Sequence, residues 1–175
     1  MKIERFVDLA NWGFNVPLFV VNANKNYGKD TYSAMKEVFG RKRRIDIFLS
    51  KDEEKDKTIL NLSLNTAVLD INTFEGNGYS SIMFENIPAD FSGVVVFNSE
   101  IGGCFYHFDR DQGVSRHPFN YLADIDDSKF RHIVRVLHRI KEKLGSVSVS
   151  IDYVWAQDFS GVNGSRLIVY DYEIL

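Results

Sequence analysis

The last third of the chain carries the pattern that most constrains the fold. Between Ser128 and Leu144, apolar residues recur at the spacing of one helix face. These apolar positions are Phe130, Ile133, Val134, Leu137, Ile140 and Leu144. Ser128 can cap the first turn, and Gly145 is a natural stop. The pattern predicts a helix from Ser128 to Leu144 that packs its apolar face on a sheet.

Two strands are predicted after this helix. Val147, Val149 and Ile151 alternate with polar residues, which is strand spacing. A polar loop with Asn163-Gly164 then leads to a second predicted strand, Leu167 to Ile174. If the two strands pair as a hairpin, Asp152 lies opposite or diagonal to Asp171, with Glu173 on the same face as Asp171.

The rest of the chain predicts short helices and strands in mixed order. Helices are predicted over Ile3 to Ala10 and from Asp30 or Thr31 to Gly40, with a polar loop over Asn22 to Lys29. The predicted strands are Val16 to Asn22, Ile45 to Ser50, Thr58 to Leu64, Ala67 to Ile71, Tyr79 to Ile87, Gly93 to Asn98 and Ile101 to Phe108. A long polar loop is predicted over Asp109 to Asp124. This order predicts an α+β fold, a mostly antiparallel sheet with helices packed on one side.

Length and composition predict one folded domain over 1–175, with lobes at about 1–84 and 85–175. The 175 residues are 45% hydrophobic, enough for a sizeable core. The single cysteine, Cys104, excludes an internal disulfide and a cysteine-based zinc site, and it indicates a reducing compartment, hence a cytoplasmic location. No apolar run approaches the roughly 20 residues that cross a bilayer, so no membrane partner is expected.

Two polar stretches each leave two interpretations open. The run Arg41 to Arg44 is a phosphate or nucleic-acid patch, or a solvated connector; the second is favoured because no aromatic residues interleave with it. The net charge of -3 also disfavours nucleic acid as a partner, although it does not exclude nucleic acid. A second stretch offers acid–base and phosphate-binding side chains, or simply solvated ones. Its residues are His107, Asp109, Arg110, Asp111, Arg116 and His117.

Short stretches of the chain resemble the ATP-grasp superfamily. Phe6 to Pro17 looks like that family's entry helix followed by a "G-x-P-x-P" type strand. Phe84 to Asp90 is similar to its "Q-E-F-I-P-G" hinge. Val149 to Tyr153 looks like "R-x-D-F", and Val169 to Ile174 looks like "Y-x-x-E-I-N". The resemblance implies a two-lobed ATP-grasp-like arrangement over most of the chain.

Three departures from the family pattern indicate a reduced or degenerate member. Ser150 stands where the family has the arginine of "R-x-D", and Leu175 stands where it has the final asparagine. No glycine-rich phosphate loop follows the strand Ile45 to Ser50. Whether such a member is an active enzyme stays open.

The resemblance implies a protein that binds ATP and Mg²⁺, of the carboxylate-amine ligase type. In that family ATP phosphorylates a carboxylate, and a nucleophile then displaces phosphate. The implied nucleotide-binding residues are Lys51, Glu85, Asn86 and Ile87, with Glu85 accepting from the adenine amino group or from the ribose. The implied Mg²⁺ ligands are Asp152, Asp171 and Glu173, with the cation bridging to the ATP phosphates. For Glu85 the alternative is a solvated strand end, and for the three carboxylates it is a face that points to water.

A second class of function is open from the sequence. The chain also suits a non-enzymatic interaction protein, such as a small phage or immunity-type factor that binds a host protein or nucleic acid. Its contact surface would be the exposed loops and the run Arg41 to Arg44.

Overall fold

The computed structural model of the protein describes residues 2–52, 54–98, 104–109, 117–119, 128–145, 147–156 and 167–175. For 89–92, 98, 104–109, 117–119, 128–131 and 134 it describes the backbone alone. The chain divides into two compact units. Unit 1 consists of Met1–Val16 and Pro88–Leu175, and unit 2 is Pro17–Ile87.

Unit 2 is a four-stranded antiparallel sheet with helices. The strand order is β1-β4-β2-β3. Its elements are β1 (Phe19–Val21), α2 (Ala23–Tyr27), a 3₁₀ turn (Gly28–Asp30), α3 (Thr31–Phe39), β2 (Ile45–Ser50), β3 (Lys57–Leu62), α4 (Leu64–Gly76) and β4 (Ser80–Glu85). Strand β2 is buried along its whole length, because it lies between β4 and β3 and contributes to the core.

The core of unit 2 joins this sheet to α3 and α4. Met35 and Phe39 of α3 pack with Ile71 of α4 and with Ile47 and Met83 of the sheet. Burial of each such side chain stabilises the folded state by roughly 1.5–3 kcal/mol relative to leaving it exposed. The core therefore fixes β2 and β4, the two central strands.

Two sequence predictions in unit 2 are wrong. Ala67 to Ile71 is part of helix α4 instead of a strand, because its apolar residues continue the spacing of Leu64, and because Ser63 caps the helix through its Oγ, which accepts the N–H of Thr66. The predicted loop Asn22 to Lys29 contains helix α2. Glu75, from 50 residues away, accepts the N–H of Lys25 in that helix, a contact that no local pattern contains.

Unit 1 is a five-stranded antiparallel sheet with the order β7-β6-β5-β8-β9. Its elements are α1 (Lys2–Asn11), β5 (Ala89–Asn98), β6 (Cys104–Asp109), β7 (His117–Phe119), α5 (Ser128–Leu144), β8 (Val149–Ala156) and β9 (Leu167–Ile174). Leu137 of α5 is fully buried and shares a core with Ile151 and Val169. This core holds α5 against the sheet.

The α+β fold class and several bounds are confirmed. Helix α5 and strand β9 begin and end at the predicted residues. The strands form two sheets, where the sequence analysis expected one. The predicted loop Asp109 to Asp124 is wrong at His117–Phe119, which pairs with β6 as strand β7. The side chains of Phe130 and Val134, predicted to pack on the sheet, lie outside the described residues.

One further observation concerns membranes. Among the described residues, every helix is too short or too polar to cross a bilayer.

Candidate functional site

The acidic residues of β8 and β9 lie together on one face of unit 1. Asp152 and Asp171 are direct cross-strand partners, and Ser150 is the partner of Glu173. The neighbouring pair Ile151 and Tyr172 is buried, so strand alternation turns Ser150 and Asp152 to the face opposite the core. The structure therefore brings all three predicted Mg²⁺ ligands to one face, with Asp152 opposite Asp171.

These residues line a cavity of about 50 Å³. Its lining consists of Ser150, Asp152, Asp171, Tyr172 and Glu173. Within the described part of the chain, no three His, Cys, Asp or Glu side chains gather closely enough to hold a metal ion. Magnesium in proteins is usually held by only one or two carboxylates together with water and substrate phosphates. The oxygen donors of this cavity fit that chemistry, and a cavity needs only about 10–15 Å³ to admit one water.

Arg5 of α1 contacts this acidic face directly. Its Nε donates to Oδ1 of Asp171 at 2.9 Å, and its Nη2 donates to Oδ2 at 2.9 Å. The Nζ of Lys2 lies 3.9 Å from the same carboxylate. The hydrogen bond to Asp171 raises the pKa of Arg5 above its ordinary value. The Asp171 carboxylate, one of the predicted Mg²⁺ ligands, is therefore already paired with a positively charged side chain of the protein.

Tyr172 and Trp12 hold α1 beside that ion pair. The hydroxyl of Tyr172 donates to Oδ2 of Asp8 at 3.2 Å. Burial raises the pKa of Tyr172, and the nearby Asp8 carboxylate raises it further. The rings of Trp12 and Tyr172 lie 5.3 Å apart between centroids. These contacts fix the helix that carries Arg5 against β9.

In unit 2, the predicted nucleotide-binding segment Glu85–Ile87 is tied to the start of β2. The N–H of Asn86 donates to the carbonyl of Arg44 at 2.8 Å. Glu85 forms an ion pair with Arg43, and its side chain is only 16% exposed. Glu85 is therefore a paired carboxylate, which disfavours the alternative of a solvated strand end. The same ion pair gives Arg43 a structural role within the run Arg41 to Arg44.

Asp46 is a buried carboxylate that sequence reasoning missed. Its Oδ1 and Oδ2 accept from the side-chain amide of Asn86 at 3.0 and 2.9 Å, and Oδ1 also accepts the N–H of Asn61 at 2.6 Å. Asn61 lies at an irregularity in the β2–β3 pairing and has a φ of 60°. A buried carboxylate needs such donors to offset its desolvation. Asp46 thus connects the predicted nucleotide segment to the centre of the sheet.

Lys51, the predicted nucleotide lysine, belongs to a cluster at the far end of β2. Its Nζ lies 2.9 Å from Oε1 of Glu54, and the Nζ of Lys57 lies 3.7 Å from Oε2. Lys57 also donates to the Tyr79 hydroxyl at 2.6 Å, and that hydroxyl donates to Glu54. The Tyr79 hydroxyl and then Lys51 lower the pKa of Glu54. Two ammonium groups and a phenol here hold one anionic group.

Unit 1 also contains the polar stretch His107 to His117, Cys104 and Trp155. The side chains of the polar stretch His107 to His117 and of Cys104 lie outside the described residues. Trp155 is buried in the unit 1 core.

No protein-family model and no curated protein matches the chain. Solved structures match it over almost its whole length. A D-alanine-D-alanine ligase from Coxiella burnetii matches with a TM-score of 0.65 and 7% identity. The match covers 99% of this chain and 46% of the ligase chain. The D-cycloserine synthetase DcsG matches with a TM-score of 0.58 and 15% identity. The match covers 98% of this chain and 61% of the synthetase chain. An N5-carboxyaminoimidazole synthetase from Staphylococcus aureus complexed with ADP matches with a TM-score of 0.54 and 10% identity. The match covers 98% of this chain and 42% of the synthetase chain.

The chain has an ATP-grasp-like fold. At these identities the likeness concerns the fold, and the chain spans between 42% and 61% of the length of these three structures. The fold that the short sequence stretches implied is therefore confirmed.

Proposed function

We propose that the protein binds ATP and Mg²⁺ and belongs to the carboxylate-amine ligase type of ATP-grasp protein. The observation that carries the proposal is the carboxylate face of β8 and β9, on a fold shared with solved ligases. There Asp152 lies opposite Asp171 and Glu173 lies two residues further along the same strand. Like charges placed opposite each other destabilise a strand pair, and a bound cation offsets that repulsion.

In this proposal Asp152 and Glu173 hold the cation, and Asp171 joins them only when Arg5 releases it. Both line the cavity, and Asp152 is half-buried while Glu173 is exposed. When bound, Mg²⁺ would neutralise the negative charge of the phosphate groups during phosphoryl transfer. Ser150, where the family has an arginine, contributes a hydroxyl and no charge.

For the nucleotide, the proposal uses residues of unit 2. Lys51 binds phosphate oxygen as a cation, and Glu54 must yield its contact with Lys51 when it does so. The segment Glu85–Ile87 contacts the base or ribose, with Glu85 as acceptor and Asn86 held in place by Asp46. The ion-pair partner Arg43 keeps Glu85 ordered beside β2.

Equilibrium unfolding with and without ATP and Mg²⁺ tests the proposal. A ligand that binds only the folded protein stabilises it by ~2.7 kcal/mol when present at ~100 times its dissociation constant. We expect stabilisation with ATP plus Mg²⁺, and a smaller effect in Lys51→Met than in the matched variant Lys42→Met, an exposed lysine of the basic run. Absence of any stabilisation by ATP plus Mg²⁺ in the wild type contradicts the proposal.

A further inference from the structure

Arg5 and Asp171 form the best-defined charge contact on the acidic face. The guanidinium fork makes two hydrogen bonds of 2.9 Å to the two oxygens of one carboxylate. Bidentate pairs of this kind are stronger and more directional than single contacts. Asp171 is 8% exposed, so water screens the pair weakly. Asp171 therefore has a resident positive partner that α1 supplies.

The position of this pair determines the charge that a cation meets in the cavity. Asp152, Asp171 and Glu173 together carry a formal charge of -3. Arg5 and the more distant Lys2 reduce the formal charge of the face to -1, and the Arg5 guanidinium also covers both oxygens of Asp171. A divalent cation that used all three carboxylates would have to displace Arg5. One that used only Asp152 and Glu173 would lie close to a fixed positive charge.

We propose that Arg5 is a built-in counter-cation that competes with a divalent cation for Asp171 and weakens divalent binding at this face. The inference rests on the proposed function, since it assumes that the carboxylate face binds such a cation. Arg5 acts through Asp171 and is a positioning residue.

Binding of Mn²⁺, followed by the electron paramagnetic resonance signal of the free ion, tests the inference. The variant Arg5→Gln keeps a hydrogen-bonding amide and removes the charge. We expect Arg5→Gln to bind Mn²⁺ about 5–150-fold more tightly than the wild type, the usual range for coupling between two ligands. A purely structural role for Arg5 predicts no gain in affinity. Competition by Mg²⁺ checks that both ions use one site.

Two matched variants control for charge and for the carboxylate. Lys2→Gln removes a neighbouring positive charge that lies 3.9 Å from Asp171 without a bidentate contact. It should change the Mn²⁺ affinity by less than about twofold. The double variant Arg5→Gln with Asp171→Asn should return to the wild-type affinity or weaker, because the carboxylate that Arg5 releases is then missing.

A measurement on the wild type keeps the inference testable if Arg5→Gln fails to fold. The Nε–H resonance of Arg5 reports its hydrogen bond to Asp171, and Mg²⁺ should shift this resonance with the dissociation constant found for the cation. A resonance unmoved at saturating Mg²⁺ overturns the inference, as does an Arg5→Gln variant with unchanged or weaker Mn²⁺ binding. If neither protein binds Mn²⁺ while ATP plus Mg²⁺ still stabilises the wild type, the inference fails and nucleotide binding stands. If ATP plus Mg²⁺ is also without effect, both fail.

Discussion

Asp152 and Asp171 lie directly opposite each other across β8 and β9, and the guanidinium of Arg5 holds the second of them through two hydrogen bonds of 2.9 Å. The strand pair thus places two acidic residues directly opposite each other, an arrangement that destabilises the pairing. The protein offsets that repulsion in part with a residue from the opposite end of its sequence. The face keeps Asp152 and Glu173 beside the cavity, and this arrangement motivates the proposed Mg²⁺ site.

Replacing Leu137 with alanine should destabilise unit 1. Leu137 is fully buried in the core between α5 and the sheet, so its truncation removes apolar contacts and leaves a cavity. We expect a loss of ~2–5 kcal/mol in the free energy of unfolding. Both tryptophans, Trp12 and Trp155, belong to unit 1, and their fluorescence in urea follows this transition. Leu175→Ala, at an exposed site, should stay within about 0.5 kcal/mol of the wild type. An equally small loss at Leu137 would be inconsistent with the described packing of α5.

Two glycines at the end of α4 should respond in opposite directions to alanine. Gly76 is the last residue of the helix, has no atom within 4 Å of the place that an alanine methyl would take, and lacks a positive φ. Gly76→Ala should therefore stabilise unit 2 by about 0.4–1 kcal/mol. Gly78 has a φ of 87°, where an L-residue is strained, so Gly78→Ala should destabilise by roughly 1–2 kcal/mol. Urea unfolding followed by circular dichroism measures both. Effects of the same sign would contradict the backbone geometry of this turn.

Removing the Asp46 carboxylate should destabilise unit 2. Asp46→Ala leaves the N–H of Asn61 and the side-chain amide of Asn86 without their acceptor. An unsatisfied buried polar group costs about 1–3 kcal/mol. Urea unfolding measures the loss, and Asp52→Ala, at an exposed aspartate, is the control and should change stability by less than about 0.5 kcal/mol. Equal losses in the two variants would mean that Asp46 does not hold the Glu85–Ile87 segment.

The pKa of Glu54 should lie below its ordinary value of 4.5. The Tyr79 hydroxyl is the main cause and Lys51 the next, so Tyr79→Phe should raise this pKa. A lowered folded-state pKa means that the contribution of Glu54 to stability is present above pH 4.5 and is lost as the pH falls through the folded-state value. Carbon-13 titration of the Glu54 carboxyl measures the pKa directly in both proteins. A value in the wild type no lower than in Tyr79→Phe would contradict the described cluster.

Local patterns predicted the elements whose periodicity is unbroken. Helix α5 has an apolar residue at every turn and a glycine stop, and β9 is a continuous run, so both were predicted to the residue. Ala67 to Ile71 is a short apolar run that periodicity alone cannot assign to helix or strand. The Ser63 cap was the signal that could have decided it.

The contacts of the candidate site were less accessible to sequence reasoning. The hairpin pattern predicted Asp152 opposite or diagonal to Asp171, and the structure shows them directly opposite, beside an irregularity in the strand pairing. The pairing of Arg5 with Asp171 joins residues 166 positions apart, and the bonds from Asn86 to Asp46 span 40. Only the folded chain brings these groups together. The alternative function, an interaction protein that uses Arg41 to Arg44 as a contact surface, stays a prediction.

Titration of Mg²⁺ by calorimetry into the wild type, Asp152→Asn and Glu173→Gln tests the proposed site most directly. We predict that the wild type binds Mg²⁺ and that each variant loses at least about tenfold in affinity, which corresponds to ~1.4 kcal/mol. Glu142→Gln, an exposed glutamate on α5, should bind as the wild type does. If neither Asp152→Asn nor Glu173→Gln changes the Mg²⁺ affinity, or if the wild type shows no Mg²⁺ binding and both variants are merely more stable, the carboxylate face is not a cation site.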